Sequence, residues 1–145
     1  MWCYLNTLTG DLVRVVLADD EAAIRSLTKY WLESDGRFRV VGEARDGAEC
    51  ISVCADKQPD LVLLDLVMPK MGGLPALPAV LQASPSSTVV VLSMLQEEKS
   101  IQESLDKGAA AFLDKGLDGT ELAERLWDIL SKGPNATVPE SIVPP

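Results

Sequence analysis

The chain of 145 residues contains no histidine, only three cysteines and only 5% aromatic residues. Without histidine, a zinc site would need a cluster of thiolates, and no third thiol lies near Cys50 and Cys54 in the sequence. Three cysteines cannot all pair, which excludes a disulfide scaffold. Cys50 and Cys54 are four positions apart and share one helix face, where we expect buried free thiols.

Long apolar runs and an excess of basic residues are also missing. No apolar stretch approaches the ~18 residues that cross a bilayer, and residues 1–12 lack the basic segment and continuous apolar core of a secretory signal. The 13 Lys and Arg residues are outnumbered by 22 Asp and Glu residues, which gives a net charge of −9. This acidity argues against nucleic-acid binding, which needs clustered basic side chains. We expect a cytoplasmic protein that binds neither nucleic acid nor a membrane.

Short apolar runs alternate five times with amphipathic stretches, in a chain whose length suits about one domain. The predicted strands are Val13–Ala18, Phe38–Ala44, Leu61–Leu64, Thr88–Leu92 and Ala110–Leu113. Most of them are continuous runs rich in Val and Leu, which is typical of strands buried on both faces. Five strand–helix units predict an α/β fold, a flavodoxin-like (βα)5 doubly wound parallel sheet of five strands in the order 2-1-3-4-5.

The intervening helices are predicted from apolar spacing and capping residues. The first helix has one apolar face, made of Ile24, Leu27, Trp31 and Leu32. Asp46 is a candidate N-cap of the second helix, and Asp118 is a candidate N-cap of the last one. Pro75 suits a first turn whereas Pro78 disfavours a helix interior, so we expect the third helix to be short and to start late.

Polar residues end or follow four of these strands: Asp19, Asp20, Asp65, Ser93 and Lys115. The carboxyl ends of parallel strands meet at one edge of the sheet, where open α/β folds bind their ligands. Individually, some have simpler explanations, such as a helix N-cap for Asp20 or an ordinary surface position for Lys115. Together at one edge, they indicate a site that holds a divalent metal and receives a phosphoryl group.

The chemistry of such a site assigns a role to each side chain. Asp65 can attack phosphorus and form an aspartyl phosphate. A Mg²⁺ ion held by Asp19 and Asp20 would reduce the repulsion between these anions, since Mg²⁺ prefers oxygen ligands. Lys115 would supply a positive charge to the phosphoryl oxygens, and Ser93 would supply a hydroxyl donor.

The motifs that contain these residues resemble the receiver domain of two-component response regulators; they are VVLADDE, DLVLLDLVMPKMGGL, VVVLS and GAAAFLDKG. The spacing agrees with that family, because Ser93 follows Asp65 by 28 positions and Lys115 follows Ser93 by 22. The pattern around Ser93 is closest to the subgroup whose members carry a C-terminal helix-turn-helix effector.

The resemblance implies a division of the chain and a set of ligands. Residues 13–131 would form the receiver domain, between an N-terminal extension at 1–12 and a linker-like tail at 132–145. Asp65 would accept a phosphoryl group from a sensor histidine kinase. The implied metal ligands are Asp19, Asp20, Asp65 and the backbone carbonyl of Val67.

The resemblance also implies how a signal leaves the domain. Ser93 would contact the phosphoryl group with Lys115 and act with Phe112 as the switch. We expect the output surface at Glu97–Lys107, Ala110–Leu113 and the start of the last helix, where a partner or a second copy would dock. The subgroup allows a rival surface on the first and last helices. Such a domain is not a separate enzyme: it phosphorylates itself from small donors with Mg²⁺ and loses the group by autodephosphorylation. Its output would be transcriptional control.

The chain departs from the family pattern at three places. Gly116 follows Lys115, where many receiver domains have a proline with a cis bond. Val67 and Met94 correspond to positions that flank the mouth of the site, and both are apolar here. Apolar side chains at the mouth would restrict the approach of water, which bears on the rate of dephosphorylation.

Three other functions are alternatives to this prediction. A degenerate receiver acting as a docking module would have lost the acceptor, the acid pair or the lysine, and all of them are present. A phosphatase of the haloacid-dehalogenase type needs Asp-x-Asp, whereas Val67 stands two residues after Asp65. A flavodoxin would need hydroxyl and backbone donors after the first strand, where Asp19 and Asp20 would repel the flavin phosphate.

Overall fold

The computed structural model describes residues 11–94 and 97–132, in which strands and helices alternate. The strands are β1 (Val13–Ala18), β2 (Phe38–Ala44), β3 (Leu61–Leu64), β4 (Thr88–Ser93) and β5 (Ala111–Asp114). The helices are α1 (Ala22–Asp35), α2 (Gly47–Lys57), α3 (Gly73–Ala83), α4 (Glu98–Asp106) and α5 (Gly119–Lys132). Most of the predicted N-terminal extension and of the predicted C-terminal tail lies outside the described residues.

The strands form one parallel sheet in the order β2-β1-β3-β4-β5, which confirms the predicted topology. At one edge, Ala18 of β1 pairs with Leu64 of β3, and Ser93 of β4 pairs with Asp114 of β5. The carboxyl ends of these four strands are therefore side by side. The residues that follow these strands therefore lie at the same edge of the sheet.

The sheet is covered on both faces, which explains the continuous apolar runs. One face packs Leu17, Leu63 and Leu92 against α1 and α5, whose buried residues include Leu32 and Leu126. The opposite face packs alternate strand residues against α2, α3 and α4. No helix in the described part of the chain is long and apolar enough to cross a membrane.

The observed bounds of the last two strands differ slightly from the predicted ones. β4 extends to Ser93, and β5 runs from Ala111 to Asp114 rather than over Ala110–Leu113. Apolar character placed Ala110 in the strand, but the pairing of β5 with β4 begins at Ala111 opposite Val90. The ladder therefore reaches Ser93, which is a candidate site residue.

The prediction of a short, late third helix was wrong. α3 starts at Gly73 and continues for 11 residues with Pro78 inside it. Pro78 is the sixth of these 11 residues, where its missing N–H removes one hydrogen bond, to the carbonyl four residues earlier. Burial of Leu77 and Val80, both 0% exposed, outweighs that loss.

The apolar face predicted for α1 is only partly buried. Leu32 is buried, whereas Leu27 is 43% exposed. The residue that turns toward the sheet beside Leu27 is Thr28, which is 6% exposed. Thr28 lies four residues before Leu32, so both side chains are on the same face of the helix. Because threonine is polar, the apolar pattern of the sequence does not indicate that Thr28 is buried.

Three smaller predictions are confirmed. The Asp46 carboxylate accepts a hydrogen bond from the backbone N–H of Glu49 at 2.9 Å, and Asp118 accepts one from Glu121 at 2.9 Å. Both aspartates are N-caps. The remaining predicted pair, Cys50 and Cys54, consists of free buried thiols with their sulfur atoms 3.9 Å apart.

Candidate functional site

The sheet brings the predicted site residues to one edge. Asp19 and Asp20 follow β1 directly, and Asp65 follows β3. Ser93 ends β4, and Lys115 follows β5. An open depression of about 300 Å³ at this edge is lined by Asp20, Glu21, Asp65, Val67, Ser93, Met94 and Lys115.

Lys115 joins two of the carboxylates. Its Nζ lies 2.7 Å from Asp19 Oδ2 and 2.9 Å from Asp65 Oδ2. The three side chains are at most 10% exposed, so these charges are largely removed from water. Buried charges need a partner of opposite sign, and here one ammonium serves two anions.

Backbone amides hold the same two carboxylates from the other side. Asp19 Oδ1 accepts a hydrogen bond from the N–H of Glu21 at 2.9 Å. Asp65 Oδ1 accepts a longer one from the N–H of Val67 at 3.3 Å. Arg25 Nη1 also donates to the backbone carbonyl of Asp19 at 2.6 Å. This support from α1 was not predicted, because a single arginine in a helix gives no sequence signal for such a contact.

The start of α3 packs directly against the backbone of Asp65. A Cβ atom added to Gly73 would lie 2.4 Å from the Asp65 carbonyl oxygen, so a side chain does not fit there. The N–H of Gly73 donates to the carbonyl oxygen of Leu66 at 3.0 Å. The segment after β3 therefore packs closely against Asp65, the candidate phosphoryl acceptor.

Burial and ion pairing act in opposite directions on the ionisable groups. Desolvation raises the pKa of Asp65, and the hydrogen bond from Lys115 offsets this only in part. For Lys115, desolvation lowers the pKa, but the hydrogen bonds to Asp19 and Asp65 outweigh it and the net pKa is raised. Lys115 is therefore a stable cation at neutral pH, whereas desolvation disfavours the ionised form of Asp65.

Carboxylate oxygens from three consecutive residues could hold a metal ion. One oxygen each from Asp19, Asp20 and Glu21 lies within 4.8 Å of the others. Asp19 is buried, and the other two are exposed. Glu21 was not among the predicted ligands, although its place in the acidic run was a signal. The group does not include Asp65, one oxygen of which is bonded to Lys115.

The two residues predicted as the switch are both buried. Ser93 is 1% exposed, and its carbonyl oxygen accepts a hydrogen bond from the N–H of Lys115 at 3.1 Å. Phe112 is 0% exposed and packs in the core between the sheet and α2, α3 and α4. At the rim of the depression, Val67 and Met94 are 59% and 70% exposed, which agrees with their predicted place at its mouth.

Comparison with known sequences identifies the family. Residues 15–127 match the family model of the response regulator receiver domain. A protein-glutamate methylesterase/protein-glutamine glutaminase of Pyrococcus abyssi is 38% identical over 109 residues, 74% of this chain and 30% of the relative. The uncharacterized transcriptional regulatory protein YhcZ of Bacillus subtilis is 32% identical over 112 residues, 77% of this chain and 52% of the relative. The chain thus spans less than a third of the first relative and about half of the second.

Solved structures agree with that assignment. The signal receiver domain of the NarL response regulator from Mycobacterium tuberculosis has a TM-score of 0.80 and 33% identity, covering 85% of this chain and 99% of that one. The response regulator domain of Thermotoga maritima CheB has a TM-score of 0.76 and 28% identity, and the match covers 88% of this chain and 99% of that one. The chain belongs to the response regulator receiver domains, the phosphoacceptor modules of two-component signalling.

Proposed function

We propose that this domain accepts a phosphoryl group on Asp65 from a sensor histidine kinase. The observation that carries the proposal is the position of Lys115, whose Nζ contacts Asp19 and Asp65 together. A cation placed between a nucleophile and a metal-binding carboxylate suits a site where negative charge increases during transfer. The same ammonium favours the ionised form of Asp65, against the desolvation that raises its pKa.

The donor set fits Mg²⁺. Hard oxygen ligands from Asp19 and Asp20 converge with Glu21 at the open edge, and exposure there leaves room for the water ligands that Mg²⁺ retains. Asp65 and the backbone carbonyl of Val67 complete the proposed ligands. When bound, Mg²⁺ would neutralise negative charge between the carboxylates and the phosphoryl oxygens.

The transfer itself involves Asp65, Lys115 and Ser93, which contact the phosphoryl group. A carboxylate oxygen of Asp65 forms a bond to phosphorus as the bond from phosphorus to the donor atom breaks, and the donor leaves with that electron pair. Lys115 then exchanges part of its contact with Asp65 for a phosphoryl oxygen. The Ser93 hydroxyl donates to a second phosphoryl oxygen. Val67 and Met94 restrict the approach of water to the acyl phosphate.

We propose transcriptional control as the output. The support is the similarity to the transcriptional regulatory proteins YhcZ and YxjL of Bacillus subtilis, at 32% and 31% identity. Ser93 and Phe112 would link the phosphoryl group to a surface formed by α4 and β5, where phosphorylation could favour a homodimer. A second output, methylesterase control, is favoured by the 38% identity to the Pyrococcus abyssi methylesterase.

Intact mass spectrometry after incubation with acetyl phosphate and Mg²⁺ tests the phosphoacceptor role. We expect one added phosphoryl mass on the unchanged chain and none on Asp65→Asn. Asp46→Asn is the matched control, since it removes another carboxylate after a strand of the same sheet while retaining an N-cap. Full uptake by Asp65→Asn would disprove the assignment. A folded wild-type chain that takes up nothing would favour the docking-module alternative.

A further inference from the structure

A small cavity lies beneath the candidate site, between α1 and the sheet. Its volume is about 20 Å³, and its walls include Thr28 of α1, Leu63 and Leu92 of the strands, and the acidic residues Asp19 and Asp65. A cavity needs about 10–15 Å³ by this measure to hold one water molecule. The space is therefore large enough to hold one water molecule.

The Thr28 hydroxyl in the wall of this cavity has no hydrogen-bond partner within residues 11–94 and 97–132, although Thr28 is 6% exposed. Two other helical hydroxyls are satisfied by their own helices. Ser104 and Ser131 donate to the carbonyl oxygens of Ser100 and Trp127, at 2.7 and 2.8 Å. Because an unpaired buried hydroxyl is costly, Thr28 needs a partner that the protein does not supply.

The acidic wall of the cavity has unused acceptor capacity. Each carboxylate oxygen can accept about two hydrogen bonds. Asp19 receives one from Glu21 and one from Lys115, which go to different oxygens. Asp65 likewise receives one from Val67 and one from Lys115. A water molecule in the cavity would find both a hydroxyl and a carboxylate to bond with.

We propose that this cavity holds one ordered water, which hydrogen-bonds to the Thr28 hydroxyl and donates to the carboxylate of Asp19 or Asp65. Thr28 is then a positioning residue for the phosphoacceptor site, and this role rests on the proposed function. Groups that bond to a metal-binding carboxylate fix its orientation and so affect metal affinity. A second cavity of about 60 Å³ shares Ile24, Thr28 and Leu92 with the first and so adjoins it.

Crystal structures of the wild type and Thr28→Val at high resolution test the water directly. Valine keeps the shape of threonine without its hydroxyl, so we expect the water in the wild type and its loss in the variant. An empty cavity in the wild type would overturn the proposal. So would a water that contacts Thr28 but neither Asp19 nor Asp65.

Titration with Mg²⁺ by calorimetry tests the positioning role. We expect Thr28→Val to bind Mg²⁺ about tenfold more weakly, and Thr28→Ser, which restores a hydroxyl, to bind within about twofold of the wild type. Thr120→Val on α5 is the control for the same chemical change at an exposed helical position and should bind as the wild type does. Thermal melting of each variant verifies folding, and Thr28→Ala replaces the valine variant if that one does not fold.

Equal Mg²⁺ affinity in the wild type and Thr28→Val would overturn the positioning role. A wild-type chain that acetyl phosphate does not phosphorylate would contradict the proposed function. The crystallographic water and the Mg²⁺ affinities of the Thr28 variants would still show whether Thr28 positions the site through a water. Failure of the phosphoacceptor role and failure of the Thr28 role therefore give different results.

Discussion

Lys115 donates a hydrogen bond from Nζ to Asp65 Oδ2 at 2.9 Å, which joins two residues 50 positions apart in the chain. The same ammonium lies 2.7 Å from Asp19 Oδ2. The acidic edge is therefore partly neutralised by the chain itself. This arrangement makes Lys115 important for the stability of the domain as well as for its proposed chemistry.

Replacement of Lys115 by methionine should destabilise the domain. Asp19 and Asp65 would be left buried without their common partner, at a cost of about 3 kcal/mol in the free energy of unfolding. Urea denaturation without Mg²⁺ measures this, and added Mg²⁺ should restore more stability to Lys115→Met than to the wild type. Lys132→Met is the control, since its pair with Asp128 is more than half exposed and should contribute within about 0.5 kcal/mol. Equal effects of the two substitutions would contradict the prediction.

Asp65→Asn should change stability in a pH-dependent way. Because burial raises the pKa of Asp65, the folded state binds a proton at this carboxyl more tightly than the unfolded chain does. Its contribution to stability is greatest at low pH and decreases as the pH rises from 3.8, the ordinary value, through the raised pKa. Above that window Asp65→Asn should melt at a higher temperature than the wild type, and below it the two should melt alike. A pH-independent difference would contradict this cause.

Mg²⁺ should raise the melting temperature of the wild type. Three clustered carboxylates repel one another, and a bound dication relieves that repulsion. At about one hundred times the dissociation constant, binding adds about 2.7 kcal/mol of stability. Combined Asp19→Asn and Asp20→Asn should abolish the shift, whereas Asp46→Asn should retain it. An undiminished shift in the double variant would place the metal elsewhere.

Gly73→Ala should weaken both folding and phosphoryl uptake. The new Cβ atom would lie 2.4 Å from the carbonyl oxygen of Asp65, so α3 or the acceptor segment must move. Forcing such a contact costs roughly 1–3 kcal/mol, measurable by urea denaturation. In Gly116→Ala, the nearest atom would be Asp114 Oδ1 at 3.2 Å, a side-chain atom that can shift, so we expect a smaller loss. A larger loss for Gly116→Ala would refute the steric argument.

Hydrogen exchange with beryllofluoride, a mimic of the phosphoryl group, should locate the output surface. The Ser93 hydroxyl must come within ~3 Å of a phosphoryl oxygen to bond, and this movement would alter the packing around Phe112. We expect altered protection across Ile101–Phe112, and Asp65→Asn serves as the control without an acceptor. Changes at Ser93 and Asp65 without changes across Ile101–Phe112 would exclude this surface, and changes in α1 and α5 would favour the rival one.

The sheet could be predicted closely because its strands are continuous apolar runs bounded by polar residues. Val13–Ala18 and Leu61–Leu64 have the predicted bounds, and each ends next to an acidic residue at the candidate site. Once the strand order followed from the number of strand–helix units, the strand ends had to meet at one edge. The meeting of Asp19, Asp65 and Lys115 could therefore be predicted without coordinates.

The errors arose where tertiary packing overrode a local rule. Pro78 is tolerated inside α3 because the surrounding helix face is buried. Thr28 is buried where apolar spacing had favoured Leu27, because the axis of α1 is set by its packing on the sheet. The contact of Arg25 with the Asp19 carbonyl depends on how α1 lies over the end of β1, which no single-residue pattern records.

The assembly of the site from the ends of β1, β3, β4 and β5 links signalling competence to completion of folding. Its contacts are long-range, and β5 is the last strand of the sheet to leave the ribosome. A nascent or nicked chain that has not docked β5 lacks the ammonium of Lys115 beside its acceptor. If Asp65 is the phosphoacceptor as proposed, such a chain would lack the cation that assists the transfer, and phosphoryl uptake would depend on completed folding.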